Sequence, residues 1–271
     1  MYENPGTNLL LRSLDGSPPA VYVRAGTGTG AAKFVLFMEG GGWCFSPSDC
    51  AGRAHGGLGS SLQNGPTKED FGGVMAVDPA TNPAFHSWTM VFLRYCDGSS
   101  MSSDRAAPLA EPTAPNGTIW FRGRPNLRAQ LALLVAEHGL GEATEVVLSG
   151  GSAGGLAVYY HLDFVAELVG KLAPGVRVTG FPDAGYFADL KTVKGASQYR
   201  GWFQGADSCC WNTTASVGSN AACVAAETAE PWKCVSTPAS CLQLQRNRGR
   251  IPRSPACFCD SRSLATLLTL R

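Results

Sequence analysis

The sequence predicts an α/β fold in which a doubly wound, mostly parallel sheet carries helices on both faces. Two observations predict it: short apolar runs alternate with longer segments of helical spacing, and glycines come within two residues of the end of two of the apolar runs. Of the 271 residues, 44% are hydrophobic and 16% are charged. This composition is typical of a globular domain and excludes a disordered chain.

Four short apolar runs predict buried strands. They are Lys33–Met38, Met90–Tyr95, Glu145–Ser149 and Val176–Phe181. In a parallel sheet the carboxyl ends of the strands meet at one edge, where binding and catalytic sites form. We therefore expect three features to lie at that edge: the glycines after Met38, the serine Ser152 and the carboxylate of Asp183.

Two segments between these strands predict helices. Arg122–His138 has Pro125 near its start and Gly139 after its end, positions that these residue types favour. In the second segment, apolar residues recur at spacings of four, three, four and three, which predicts a helix with one apolar face. These residues are Val158, Leu162, Val165, Val169 and Leu172.

The character of the chain changes near Lys233. From Leu242 onward there are six arginines, no lysine and a single acid, Asp260. We expect one domain over residues 1–234 and an irregular, Arg- and Cys-rich tail over residues 235–271. An alternative function for such a basic segment is to bind nucleic acid. The composition favours an unstructured or foreign terminus, so no nucleic-acid partner is expected.

Charge and cysteine content narrow the class of protein further. The net charge of +1 gives no general preference for nucleic acid or membranes, and no apolar run approaches the roughly 20 residues that span a bilayer. Ten cysteines indicate an oxidising compartment with disulfides. No Cys-x-x-Cys pair occurs, so no metal site is expected.

Two glycosylation sequons, at Asn116 and Asn212, are consistent with secretion. The N-terminal residues show no signal peptide, because no basic stretch is followed by an apolar one. We therefore expect a secreted chain that lacks its true start.

Gly150-x-Ser152-x-Gly154 matches the nucleophile elbow, a strained turn between strand and helix that raises a serine hydroxyl above the sheet. A glycine-rich turn whose serine only caps the following helix would show the same pattern. The predicted strand before the motif and the predicted helix after it favour the nucleophile.

An acyl-transfer serine also needs N–H donors for the negative oxygen of the tetrahedral intermediate. The backbone N–H of Ala153, directly after the serine, is one such donor. The run Glu39–Trp43 follows the first buried strand, and its three glycines let a carbonyl oxygen approach the main chain.

Five segments resemble the pectin acetylesterase and Notum family of serine carboxylesterases, in that family's order. They are MEGGGWCFSPSDC (38–50), LGSS (58–61), VFLRYCDGSS (91–100), LSGGSAGGLAVYYHLDFV (148–165) and FPDAGYF (181–187). The resemblance covers about residues 14–234. It implies an α/β-hydrolase-like fold, secretion to the cell wall or extracellular space, no cofactor, and removal of an acyl group from an oxygen.

The same resemblance assigns roles to individual residues. Ser152 matches the nucleophile, and the oxyanion donors match Gly41, Gly42 and Ala153. A disulfide between Cys44 and Cys50 is implied as well. Trp43 and Asp183 fall in motifs near the substrate pocket, where Asp183 can also serve only to hold backbone amides.

The histidine base that a serine nucleophile needs has no clear match. His161 lies nine residues beyond Ser152, roughly 13 Å along the helix, and cannot reach the hydroxyl. His86 and His138 precede strands and therefore belong to the opposite edge of the sheet. Only His55, in the loop after the first strand, is on the correct edge.

In the family, the acid and base come late in the chain, after two further strands. The resemblance stops after Cys234, so neither residue is assigned, and Asp183 does not match the family's acid. We expect a truncated or mis-spliced esterase that lacks its last strands, with an incomplete esterase domain over residues 1–234.

The predicted function is a monomeric carboxylesterase that removes acetyl groups from cell-wall polysaccharide through an acyl-enzyme on Ser152. Two alternatives remain. A long apolar pocket would favour a Notum-like deacylase of a lipidated protein. The absence of an acid and a base would instead suit a catalytically impaired, carbohydrate-binding relic.

Overall fold

The computed structural model describes residues 11–65, 71–187 and 191–211. Its strands are β1 (Val21–Arg24), β2 (Lys33–Met38), β3 (Thr89–Leu93), β4 (Leu109–Ala110), β5 (Thr118–Ile119), β6 (Glu145–Gly151) and β7 (Arg177–Asp183). Its helices are α1 (Pro47–Ala54), α2 (Gly123–Glu137), α3 (Ala153–Leu172) and α4 (Gln198–Ala206), the last continuing into a π-helix, Asp207–Trp211.

Five of the strands form one sheet in the order β1-β3-β2-β6-β7. All neighbours are parallel except β1, which runs antiparallel to β3 at the edge. Met38 pairs with both Leu93 and Gly150, and Gly151 pairs with Asp183. The carboxyl ends of the four parallel strands therefore lie at one edge, as predicted.

The chain reverses its direction of travel across the sheet between β2 and β6. It passes from β2 to β3 in one direction, then from β3 over β2 to β6 and on to β7 in the other. Right-handed crossovers that run in opposite directions lie on opposite faces of a sheet. The segments leaving β2 and β6 therefore diverge, and such a switch point is where open α/β sheets place their ligands.

Both long helices pack on the same face of the sheet. Leu131 of α2 and Val165 of α3 belong to one buried cluster with Leu36, Val91 and Leu148 of the strands. This arrangement follows from the topology, because the connections containing α2 and α3 run in the same direction.

The other face is covered by the segment between β2 and β3. Met75 and Trp88 are buried there against Val35, Met90 and Phe92. A third buried cluster lies around α1, with Phe203 of α4 and the adjacent Trp211.

All four predicted strands and both predicted helices are confirmed, with small shifts at their ends. The second predicted strand ends at Leu93 instead of Tyr95. The N–H of Tyr95 donates to the Glu39 carboxylate (2.9 Å), so it leaves the ladder between the strands.

Several predictions concern residues outside the described part of the chain. These are the tail over residues 235–271, the sequon at Asn212 and the domain boundary near residue 234. Among the described residues, no helix is long and apolar enough to cross a bilayer. The same residues contain no group of three or more side chains suited to hold a metal ion.

Candidate active site

Ser152 occupies the turn between β6 and α3 with φ +55° and ψ −120°. Residues other than glycine rarely adopt a positive φ, and such strain occurs mostly at functional sites. The serine is exposed, and its hydroxyl makes no capping bond to α3. Its N–H donates to the carbonyl of Asp183 on the neighbouring strand (3.0 Å). The geometry is that of an elbow, and the helix-capping alternative does not hold.

The glycines around Ser152 are required by close backbone packing. A Cβ at Gly154 would overlap with the carbonyl oxygen of Met38, and one at Gly150 would lie 2.5 Å from the carbonyl oxygen of Gly154. Gly155 packs in the same way against the backbone of Gly185. Helix α3 can therefore begin directly against β2 and β7, which holds Ser152 above the sheet.

The glycine loop Gly40–Gly42 follows β2, the strand next to β6. A Cβ on Gly40 would lie 3.3 Å from the Cβ of Ser152, so the loop backbone runs against the serine. Gly41 and Gly42 have φ of +136° and +67°. Among the described residues, no backbone hydrogen bond uses the N–H of Gly41, Gly42 or Ala153. The assignment of these three N–H groups as oxyanion donors stays a prediction.

Charged side chains anchor the start of the glycine loop. One carboxylate oxygen of Glu39 accepts from Arg94 Nη1 (2.6 Å), in a pair that is largely buried. Arg53 Nη1, on α1, donates to the carbonyl of Gly41 (2.9 Å). Cys44 and Cys50 form a disulfide between the end of the loop and α1. The loop is thus fixed at several points along its length.

Ser100 connects the glycine loop to the elbow, and sequence reasoning did not single it out. Its buried hydroxyl donates to the carbonyl of Ala153 (2.7 Å) and accepts from the indole Nε1 of Trp43 (2.7 Å). Its own φ is +55°. The motif VFLRYCDGSS marked the segment, but a serine in a turn gives no local sign of these long-range partners.

The buried carboxylate of Asp97 holds the loop that carries Ser100. It accepts from the hydroxyl of Ser103 (3.1 Å) and from the N–H of Met101 (3.2 Å). Burial raises the pKa of Asp97, and these hydrogen bonds oppose that rise. Asp97 is buried and its described hydrogen bonds all go to this loop, so its role there is structural.

Trp43 lies half-buried between Ser100 and an aromatic cluster. Its ring packs edge-on against Phe187 (4.7 Å between centroids) and Phe203 (5.2 Å). The prediction that Trp43 lies near the site agrees with its position directly after Gly42. A role in contacting substrate stays a prediction.

His161 is fully buried and both its ring nitrogens are occupied. Nδ1 lies 2.6 Å from Arg124 Nη1, and Nε2 lies 3.0 Å from the Ser100 carbonyl oxygen. Because a guanidinium only donates, Nδ1 accepts and Nε2–H donates, which defines the neutral tautomer. Burial, and next the charge of Arg124, lower the pKa of His161 to about 3. His161 is therefore unable to act as the base, as predicted.

The other three histidines are also engaged or distant. His55 caps the end of α1, and its Nε2 lies 3.0 Å from the carbonyl oxygen of Thr113. His86 bonds to the carbonyl of Asn82 before β3 begins, and His138 ends α2. The structure brings none of the four to the Ser152 hydroxyl by a hydrogen bond among the described residues.

Asp183 lies at the end of β7, where it contacts Ser152 and lines a cavity. Its carbonyl accepts from the N–H of Ser152, and the residue is one of those lining a cavity of about 300 Å³. Four phenylalanines are among its lining residues: Phe37, Phe71, Phe92 and Phe181. Ser152 is not among its lining residues, although Ser149 of β6 is.

The glycine loop and the exposed serine of a strained elbow thus meet at the switch point of a mostly parallel sheet. A family model described as Pectinacetylesterase matches residues 11–246 of this chain. The chain belongs to the pectinacetylesterase family. The predicted family and the α/β-hydrolase-like fold are confirmed.

Relatives within and around the pectinacetylesterase family match most of this chain. Pectin acetylesterase 11 of Arabidopsis thaliana is 37% identical over 193 residues, which cover 70% of this chain and 46% of that protein. Palmitoleoyl-protein carboxylesterase NOTUM of Mus musculus is 32% identical over 187 residues, covering 66% and 34%. The chain thus spans less than half the length of these two relatives.

A solved structure gives the same architecture. The Wnt deacylase Notum from Drosophila superposes with a TM-score of 0.73 at 25% identity, covering 92% of this chain and 74% of that one. This chain and the Wnt deacylase therefore share an overall fold.

Proposed function

We propose that this chain is a serine carboxylesterase of the pectin acetylesterase type, which removes acetyl groups from cell-wall polysaccharide. The observation that carries the proposal is Ser152, exposed in a strained elbow beside the glycine loop. Acetyl removal is favoured over protein deacylation because the Arabidopsis relative, named a pectin acetylesterase, is more similar than the mouse carboxylesterase, at 37% against 32% identity.

In the proposed reaction, Ser152 Oγ attacks the carbonyl carbon of the acetyl ester and loses its proton to a base. The carbonyl oxygen becomes an oxyanion, and the N–H groups of Gly41, Gly42 and Ala153 stabilise it. Collapse releases the sugar oxygen, which takes up a proton, and leaves an acetyl-enzyme. Water then hydrolyses this ester to acetate and restores the serine.

The positions of the four histidines determine which substrate best tests the proposal. None of the four lies at Ser152, so no side chain is assigned to take or return the proton. An aryl acetate has a good leaving group that departs without a proton, so its hydrolysis needs no general acid, whereas attack by Ser152 still requires the loss of the serine proton. Polysaccharide acetate makes the greater demand on acid–base catalysis.

The experiment is covalent labelling by a fluorophosphonate, with the labelled peptide located by mass spectrometry. We expect label on Ser152 in the unaltered chain, none at that position in Ser152→Ala, and full label in Ser48→Ala, which removes an exposed hydroxyl on α1. Acetate release from aryl acetate should follow the same order. A folded protein that takes no label at Ser152 would contradict the proposal.

A second function, carbohydrate binding without turnover, is favoured by the placement of the histidines. His161, the one closest in sequence to Ser152, is held neutral by burial and Arg124. Binding of acetylated pectin by the unaltered chain and by Ser152→Ala with equal affinity, and no acetate release by either, would select this function over esterase activity.

We also propose that the chain is secreted, which the Cys44–Cys50 disulfide and the exposed Asn116 sequon support. Expression through a secretory pathway should then add a glycan at Asn116. Unchanged mass after glycosidase treatment would contradict glycosylation at this site.

A further inference from the structure

Arg53 on α1 contacts the glycine loop and two groups outside it. Nη1 donates to the carbonyl oxygen of Gly41 (2.9 Å), and Nε donates to the carbonyl oxygen of Leu58 (3.0 Å). The guanidinium carbon lies 4.7 Å from the centre of the Tyr95 ring, which is fully buried. Two directed hydrogen bonds and a stacked face leave this side chain little freedom to move.

The bond to Gly41 determines where the next N–H points. The carbonyl of Gly41 and the N–H of Gly42 belong to one planar peptide, and the structure contains no cis peptide among the described residues. In a trans peptide these two groups point in opposite directions. Because the Arg53 guanidinium holds the carbonyl, the N–H of Gly42 points away from that guanidinium.

Nothing in the glycines themselves fixes this orientation. Gly41 and Gly42 both have positive φ, at +136° and +67°, and glycine rotates through such conformations with little penalty. A rotation of their shared peptide would exchange the N–H and the carbonyl. The site would then present a partial negative charge to an oxyanion, which is repulsive. A fixed partner for the carbonyl is therefore needed.

We propose that Arg53 is a positioning residue for the oxyanion site, because it holds the Gly41–Gly42 peptide with the Gly42 N–H directed toward the reacting oxygen. This inference rests on the proposed function, in which Gly42 is an oxyanion donor. Arginine suits the role because its fork presents separate, directed N–H groups to the carbonyls of Gly41 and Leu58, which a single ammonium group does not.

The test compares Arg53→Met with a matched control, Arg24→Met. Arg24 also donates Nη1 to a backbone carbonyl, that of His86 (3.0 Å), but it pairs with Met90 and so lies toward the amino ends of the parallel strands. We expect Arg53→Met to lower kcat for aryl acetate by roughly tenfold to a hundredfold, somewhat less than deletion of an oxyanion donor. KM should change less than about threefold, because the donor acts in the transition state.

A crystal structure of each variant supplies a readout that does not depend on activity. In Arg53→Met the Gly41–Gly42 peptide should be rotated or present in two orientations, and in Arg24→Met it should be unchanged. An unchanged peptide in Arg53→Met, or equal kinetic losses in both variants, would overturn the inference. If the unaltered chain takes no fluorophosphonate label, the proposed function fails, and the peptide orientation still decides whether Arg53 holds the loop.

Discussion

His161 is the only buried histidine of the four, and its environment selects one protonation state. Arg124 donates to Nδ1 and the Ser100 carbonyl accepts from Nε2. A proton on Nδ1 would face the guanidinium at close range in a site without water-exposed surface. The side chain therefore links α2, α3 and the Ser100 loop as a neutral hydrogen-bonding group.

This environment makes stability depend on pH. The pKa of His161 is about 3 in the folded chain and 6.5 in its ordinary, unfolded state. Between these values the unfolded chain binds one proton more, so the free energy of unfolding falls as pH drops from about 6.5 toward 3. The slope from this one group is at most about 1.4 kcal/mol per pH unit.

Urea unfolding of the unaltered chain and of His161→Gln at pH 7, 6, 5 and 4 measures this slope. Glutamine can accept from Arg124 and donate to the Ser100 carbonyl, but it does not titrate. We expect the variant to lose less stability than the unaltered chain on acidification, since the other titrating groups are common to both. Parallel pH profiles would contradict a neutral, buried His161.

Some site residues could be predicted from the sequence and others could not, for a physical reason. Ser152 and the glycine loop directly follow strands, so local patterns place them at the sheet edge. Arg53 and Ser100 act on backbone carbonyls of Gly41 and Ala153, which are 12 and 53 positions away in the chain. Only the packed fold brings these groups together.

At the scale of the element, two glycines of helix α3 differ in how much space surrounds them. A Cβ on Gly154 would overlap with the backbone of β2, whereas a Cβ on Gly170 would meet no atom within 4 Å. We expect Gly154→Ala to cost more than about 3 kcal/mol or prevent folding, because backbone must move. Gly170→Ala should stabilise the helix by about 0.5–1 kcal/mol.

Chemical denaturation of both variants at pH 7 checks this pair. The same substitution in the same helix separates the effect of helix propensity from that of close packing. If Gly154→Ala and the unaltered chain unfold at the same denaturant concentration, the start of α3 does not pack closely against β2, and the prediction is wrong.

The buried central strands and the edge strand β7 were predictable, whereas the edge strand β1 and the short helix α1 were not. Strands β2 and β3 consist largely of buried residues and read as continuous apolar runs. Strand β1 is only four residues long, all of them half-buried, and is antiparallel at the sheet edge, so its apolar run is too short to predict a strand by itself. Helix α1 is only eight residues long, and its capping by Ser46 is a weak local signal.

At the scale of the molecule, strand order explains why the site lies where it does. The chain leaves β2 and β6 in opposite directions, and these neighbouring strands are followed by the glycine loop and by Ser152. The sequence predicted a parallel sheet and one active edge. It did not predict which strands are neighbours, because pairing in a parallel sheet depends on long-range packing.

The most direct test is a crystal structure of the chain after reaction with a fluorophosphonate. The phosphonyl oxygen occupies the position of the oxyanion, so it reports where the donors point. We predict a covalent bond to Ser152 Oγ, with the phosphonyl oxygen about 2.7–3.1 Å from the N–H nitrogens of Gly42 and Ala153. A phosphonyl oxygen that faces solvent, or a label on another residue, would contradict the account.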